Sequence, residues 1–156
     1  MEKLCFPRDT VIRALSIAQP YATLMFHGKI ETRSWNTNYR GLVLICSTQK
    51  PCRDLFQFSG RDQIEQIHQL LDDDTFTDLH GFALGIGELY DVTPMQKEDR
   101  QKAFAEYSPR LYCHHYRNVI RIEPFPIKGS QRWVILDPAT LDIRPYTKSA
   151  SLAVGP

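Results

Sequence analysis

Long apolar runs are missing from this 156-residue chain: stretches such as residues 42–45 and 82–84 fall far short of the roughly 18 residues that a membrane span requires. The N-terminus has no basic start followed by an apolar core, so the expectation is a chain that is neither membrane-spanning nor conventionally secreted, and cytoplasmic by default. Cysteine is scarce and unpatterned. Cys5, Cys46, Cys52 and Cys113 form no Cys-x-x-Cys pair, which excludes a disulfide scaffold and makes reduced thiols the default. Next to Cys113 stand His114 and His115, but neighbours on an extended chain point to opposite faces, so at most Cys113 and His115 could share an ion. With no second ligand pair, no metal is expected. Gly85 and Gly87 lack the third glycine and the following helix of a dinucleotide loop, and no cofactor is expected. Low-complexity tracts are absent too. With 42% hydrophobic residues the chain is too apolar for disorder, and its length fits one domain.

Charge of either sign is not in excess: 19 Lys and Arg face 18 Asp and Glu, a formal net charge of +1. The sum hides a segregation. Residues 29–53 hold five bases (Lys29, Arg33, Arg40, Lys50, Arg53) against Glu31, and residues 100–132 hold seven bases against Glu106 and Glu123. Between them, residues 54–99 carry eleven acids and two bases. The expectation is a two-part basic surface separated by an acidic block.

Hydrophobic periodicity outlines the elements. Residues 11–17 (VIRALSI) read as a strand that feeds a short, mostly apolar helix over 20–27, opened by Pro20 and stopped by Gly28. Residues 29–35 (KIETRSW), if extended, put Lys29, Glu31, Arg33 and Trp35 on one face and Ile30, Thr32 and Ser34 on the other. Gly41–Ser47 reads as a central strand, and Lys50 with Pro51 marks a helix start. The clearest helix is Arg61–Leu71, with Ser59 as N-cap, Asp62 completing a capping box, and Ile64, Ile67, Leu70 and Leu71 as its apolar stripe. The acids Asp72, Asp73 and Asp74 after it read as a solvated loop. A long strand over 82–92 follows, its glycines marking a bulge or the close approach of another backbone. Then come a polar helix over 97–107, an extended segment over 111–122, a turn-rich connector over 124–129 and a last strand over 131–136. About six strands and three or four helices interleave without a βαβ rhythm, which points to an α+β fold built as a small mixed β-barrel with helices outside it. The domain is expected over 11–137, with an N-terminal segment over 1–10 and a partly flexible C-terminal tail over 138–156.

Residues 15–22 (LSIAQPYA), 28–35 (GKIETRSW), Tyr39, Arg40 and Gly41, the strand ending at Ser47, and residues 112–133 with PFPIKGSQRW together resemble the ASCH (activating signal cointegrator homology) domain, a branch of the PUA-like superfamily. The resemblance covers roughly 11–137. It implies a small barrel with a cleft beside the first helix, and recognition of RNA or a modified nucleoside or nucleotide. Mapped onto the family motif, Lys29, Glu31 and Arg33 enter that cleft. Small members of the family resemble amidohydrolases acting on N4-acetylcytidine, and the alternative it implies is such an enzyme, with Lys29 and Glu31 as the catalytic residues. In that branch a threonine nucleophile sits two residues before the arginine, the place held here by Glu31. The segment is also about two residues shorter than the usual motif.

The side chains themselves fit nucleotide chemistry. A guanidinium such as Arg33 grips phosphate through two parallel hydrogen bonds, Trp35 or Tyr39 can stack on a base, and Glu31 can accept from an exocyclic amine. Gln19, Arg40, Ser47 and Lys128 are further candidates for ligand contact: Gln19 through its amide, Arg40 and Lys128 through charge, and Ser47 at the end of a strand that should enter the barrel. No protein partner is indicated.

Overall fold

Apolar side chains on both faces of two strands fix the centre of the fold. The structure is a computed structural model, described here for residues 2–128 and 134–147. In β1 (Ile12–Ile17) and β3 (Gly41–Ser47), paired in parallel, Leu15, Ile17, Val43 and Ile45 face one core, and Ile12, Ala14, Leu44 and Cys46 face a second. Strands covered on both sides read as continuous apolar runs. Around this pair lie β2 (Glu31–Arg33), β4 (Phe82–Pro94), β5 (Tyr112–Pro126) and β6 (Val134–Leu136), in the order β2-β5-β4-β3-β1-β6.

Six strands with flanking helices make this an α+β fold. The hydrogen bonding does not close into a barrel: among the described residues β2 and β6 end the sheet and are not paired to each other. Both are three residues long, and the β5 edge beyond β2 is taken by the C-terminal segment, through a bridge between Ile122 and Pro145 and the Glu123 N–H donating to the Arg144 carbonyl (2.8 Å). Residues 138–147 are therefore part of the packing, with Ile143 fully buried and Leu4 donating to its carbonyl. Residues 148–156 of the expected tail, and Gly129 to Trp133 of the family-like segment, lie outside the described residues.

The first core is roofed by α1 (Tyr21–Leu24) and α2 (Arg61–Leu71). Every residue of α1 is buried, and it tightens into a 3₁₀ turn that ends at Gly28, whose φ of 87° is the left-handed conformation glycine adopts without a Cβ clash. In α2 the buried face is Gln63, Ile67 and Leu71, and Leu70 points outward. A glutamine survives there because it is saturated: its Oε1 accepts from the Gly60 N–H (2.8 Å), and its Nε2 donates to the carbonyls of Arg100 (2.8 Å) and Ala105 (3.3 Å). The cap is thus Gly60 with Gln63. Ser59 is buried and serves tertiary contacts instead.

Two expected helices are shorter or absent. Lys50 and Pro51 open no helix; the Cys52 N–H donates to the Gln19 carbonyl (2.8 Å), and the first turn, Leu55–Gln57, waits for the Asp54 cap. The helix expected over 97–107 is a 3₁₀ turn (Lys97–Asp99) running into α3 (Arg100–Ala103). It stops at Phe104, held at φ 53° by burial of its ring. Residues 124–126 belong to β5, not to a connector.

The long β4–β5 ladder also decides the electrostatics. It brings the acidic block against the second basic segment: Arg117 pairs with Glu88 (3.1 Å), and Arg121 grips Asp74 through both carboxylate oxygens (2.9 and 2.5 Å). Next to α2, Arg100 binds both Asp62 and Glu106. Three bases of the second basic segment, Arg100, Arg117 and Arg121, are thereby neutralised. Asp74 is no solvated loop residue either. It also meets His27 Nε2 at 2.8 Å and accepts from the Phe76 N–H, and although burial pushes its carboxyl up, Arg121 and His27 hold it at about 2.

Gly85 sits where the β3–β4 and β4–β5 registers shift. A Cβ there would meet the Phe26 ring and the Ile120 carbonyl within 2.3–2.4 Å, whereas at Gly87 the nearest atoms are side-chain carbons at 3.1–3.2 Å. Gly85→Ala should therefore lower the unfolding free energy by about 2–3 kcal/mol and Gly87→Ala by under about 1 kcal/mol, measured by urea denaturation. Equal effects would show that the ladder yields at Gly85.

Candidate functional site

A three-residue edge strand holds more buried charge than any other element described. β2 pairs antiparallel with β5, with Glu31 opposite His114 and Arg33 opposite Tyr112. The approach to β2 is fixed by two backbone bonds, Lys29 N–H to the Leu24 carbonyl (3.2 Å) and Ile30 N–H to the Lys102 carbonyl (2.9 Å). These bonds turn Lys29 inward. Lys29 and Glu31 are each only 5% exposed.

The three charges form one unit. Glu31 Oε1 accepts from Lys29 Nζ (2.8 Å), and Oε2 accepts from Arg33 Nε (2.9 Å) and Nη2 (2.8 Å). Lys29 also donates to the Ile30 carbonyl (3.1 Å) and lies 5.7 Å from the centre of the Tyr21 ring, while Arg33 Nη2 donates to the Ser16 carbonyl (3.2 Å). Burial alone would raise the Glu31 carboxyl, but the Lys29 ammonium and the Arg33 guanidinium outweigh it and hold the group at about 2. The site therefore carries two cations and one carboxylate.

These residues line a cleft of about 500 Å³, together with Tyr21, Trp35 and Phe58 and the ends of β1 and α3. Its far wall is stitched by side chains. Ser59 Oγ donates to the Phe104 carbonyl (2.5 Å), which leaves the Tyr21 hydroxyl to donate to Ser59 Oγ (2.6 Å), and the Glu106 N–H donates to the Phe58 carbonyl (2.7 Å). Burial raises the Tyr21 phenol. Behind Trp35, His114 Nε2 donates to the Trp35 carbonyl (3.0 Å) and the two rings meet edge to face at 4.8 Å. Burial lowers the His114 pKa, so the ring is neutral with its proton on Nε2. A larger hollow of about 930 Å³ between residues 3–11 and 135–139 is also lined by charges, Lys3, Arg8, Asp9 and Asp137, but all four are exposed.

Of the residues singled out from sequence, Lys29, Glu31, Arg33 and Trp35 converge here, but Thr32 and Ser34, expected on the opposite face, reach the lining as well, so the segment does not keep a strict alternation about the cleft. The others do not. Gln19 is a buried clamp, donating to the carbonyls of Phe76 and Leu79 and accepting from Thr23. Ser47 is a core hydroxyl exchanging hydrogen bonds with the Phe82 backbone. Tyr39 donates to the Leu42 carbonyl (2.6 Å) under the Arg13 guanidinium, and Arg40 bonds the carbonyls of Thr37 and Tyr39. Lys128 is exposed and away from the lining. Sequence reasoning missed Phe58, an aromatic residue in a polar loop, and His114, hidden in an ambiguous Cys-His-His string.

Cys113 is buried with its Sγ against Asp99 (3.5 Å), and His115 bonds Thr93. Among the described residues no group of three or more His, Cys, Asp or Glu side chains is placed to hold a metal, and no helix is long and apolar enough to cross a membrane. No protein-family model matches the chain, and no curated protein matches it either.

Removing the carboxylate leaves the buried Lys29 and the half-buried Arg33 without their anion, so Glu31→Gln should destabilise the fold by about 3 kcal/mol. Because the Glu31 carboxyl lies below its ordinary value of 4.5 in the folded chain, its stabilisation is complete above that value and fades as pH falls toward about 2. Asp74 contributes over a similar range. Urea midpoints of wild type should therefore drop between pH 5 and 2, and Glu31→Gln should remove part of that slope. An unchanged slope would separate the triad from acid stability.

Proposed function

We propose that the protein binds a nucleobase-bearing ligand, a modified nucleoside or nucleotide presented free or as one unit of an RNA, in the cleft lined by Lys29, Glu31, Arg33 and Trp35. The observation that carries this reading is the Glu31 carboxylate buried on an edge strand between the buried Lys29 and the half-buried Arg33, facing an open, aromatic-lined cleft. A buried ion triad is generally no more stable than well-packed apolar residues of similar volume. Its retention at the mouth of a cleft fits a recognition role better than a role in folding. The cleft volume lies within the range of small-molecule sites, roughly 300–1,000 Å³. The ASCH-like pattern of residues 15–22 and 28–35 supports the same reading.

A pocket suits the ligand better than a track. With Arg100, Arg117 and Arg121 tied to acids, the second basic segment offers less free charge to follow a phosphate backbone. Hydrolysis of N4-acetylcytidine or a related acylated nucleoside is the second reading. Its support is the 2.8 Å contact between Lys29 Nζ and Glu31 Oε1 inside the cleft, the kind of pairing that proton transfer needs.

Single-stranded RNA should bind with a log–log salt slope no steeper than about −1.5, the signature of one or two phosphate contacts. Arg33→Lys, which keeps the charge and loses the planar fork, should weaken it by roughly tenfold, and Lys128→Ala should leave it unchanged. Fluorescence anisotropy at low and moderate salt reads both; a steep slope or an indifferent Arg33→Lys would overturn the pocket. N4-acetylcytidine should emerge intact from incubation with the protein. Loss of the acetyl group, abolished by Lys29→Met, would establish the hydrolase instead.

A further inference from the structure

Three aromatic rings line the cleft, and they are not equally available. Tyr21 is only 8% exposed, with its hydroxyl committed to Ser59 and its ring to α1 packing. Trp35 packs against the first core and meets the His114 ring at 4.8 Å. Phe58 is 54% exposed. Its ring meets Tyr21 edge to face at 6.0 Å.

That exposure is not loop looseness. The Phe58 carbonyl is held by the Glu106 N–H (2.7 Å), the Phe58 N–H donates to the Leu55 carbonyl (3.1 Å), and the next residue, Ser59, is buried and bonded to Phe104 and Tyr21. The backbone is pinned on both sides of an apolar ring that is left facing water at the cleft. Holding a ring in position before binding lowers the entropic cost of stacking on it.

The polar groups of the cleft point to the other half of the ligand. Lys29 and Arg33 against Glu31 leave one surplus positive charge, and among the described residues no other charged side chain lines the cleft. Both Glu31 oxygens are already engaged by three N–H donors, so the carboxylate orients the cations and is a poor reader of a base amine. Arg33 Nη1, by contrast, makes no hydrogen bond among the described residues. The unspent capacity of the site is a donor beside a net positive charge, and its complement is an anion.

Resting on the nucleotide reading above, we propose that the ligand is a nucleotide and not an uncharged nucleoside, its base stacked on Phe58 and its phosphate bound at Arg33. A free monophosphate and a phosphodiester unit of RNA offer this same chemistry.

Isothermal titration of the full chain with the four ribonucleoside 5′-monophosphates, the four parent nucleosides and a short single-stranded oligoribonucleotide tests it. The best monophosphate should bind at least roughly tenfold more tightly than its nucleoside, as expected for a charge-assisted hydrogen bond. Phe58→Ala should weaken that monophosphate by roughly five- to a hundredfold, the range of one lost base stack, and Phe58→Trp should restore it. Phe56→Ala should change nothing: Phe56 is 64% exposed on the same turn but does not line the cleft. An oligonucleotide that binds more than tenfold better than the monophosphate identifies RNA as the source of the phosphate, and equal affinity identifies the free nucleotide. Equal binding of nucleoside and monophosphate overturns the anion assignment, and full affinity in Phe58→Ala overturns the stacking assignment, in both cases leaving the cleft reading intact. A wild-type chain that binds none of these probes overturns the nucleotide reading itself.

Discussion

The antiparallel ladder between β4 and β5 is the constraint on which the rest of the structure depends. At thirteen and fifteen residues, these strands are long enough to hold β3 and the central pair on one side and β2 on the other. Their pairing requires a side chain of almost no volume at Gly85, where the Phe26 ring and the Ile120 carbonyl close in. It also joins acids and bases that lie far apart in the sequence. Arg121 reaches Asp74 across 47 residues, between the Phe26 and Phe76 rings, and ties the end of α1 to the loop after α2.

The cleft follows from that framework. β2 has three residues and could not persist alone; it exists because β5 offers an edge and because α3 accepts the Ile30 N–H. Once docked, it carries Lys29 and Glu31 beneath the roof made by α1 and the Phe58 loop. The ion triad then has reciprocal partners, and the low pKa of Glu31 is the measure of how strongly two cations compensate the burial of one carboxylate. The same three side chains that tie the strand down also line the cleft, and Arg33 Nη1 makes no hydrogen bond among the described residues.

Legibility in the sequence followed the range of the interactions. Strand periodicity in residues 11–17 and 41–47, the glycine stop after the first helix and the long fourth strand are local or nearly local features, and each stands in the structure where the pattern placed it. Helix caps were misjudged where a tertiary partner competed: Ser59 has the chemistry of an N-cap, yet Phe104 and Tyr21 claim its hydroxyl. Gln19 and Ser47 show the same rule. Both are polar residues beside the expected cleft, and both are consumed by backbone groups brought to them from 35 to 60 residues away. The exposed aromatic wall, Phe58, had no periodic context to announce it.

By itself, then, the sequence determined the α+β class, the strand-rich order of elements and the alternation that puts Lys29, Glu31 and Arg33 on one side of an extended segment, because these depend on residues within a few positions of one another. Tertiary structure alone decided that this side faces inward, that acids of the 54–99 block pair with Arg100, Arg117 and Arg121 of the second basic segment, and that, among the described residues, the sheet leaves β2 and β6 unpaired with each other. Each of those outcomes turns on which strand lies beside which. A charge on a strand reads the same in sequence whether it meets water, a partner or a cleft; only the neighbouring elements distinguish them. A near-neutral total charge is shared by a protein whose cations are all solvated and by this one, in which Lys29, Arg33, Arg100, Arg117 and Arg121 are paired with acids.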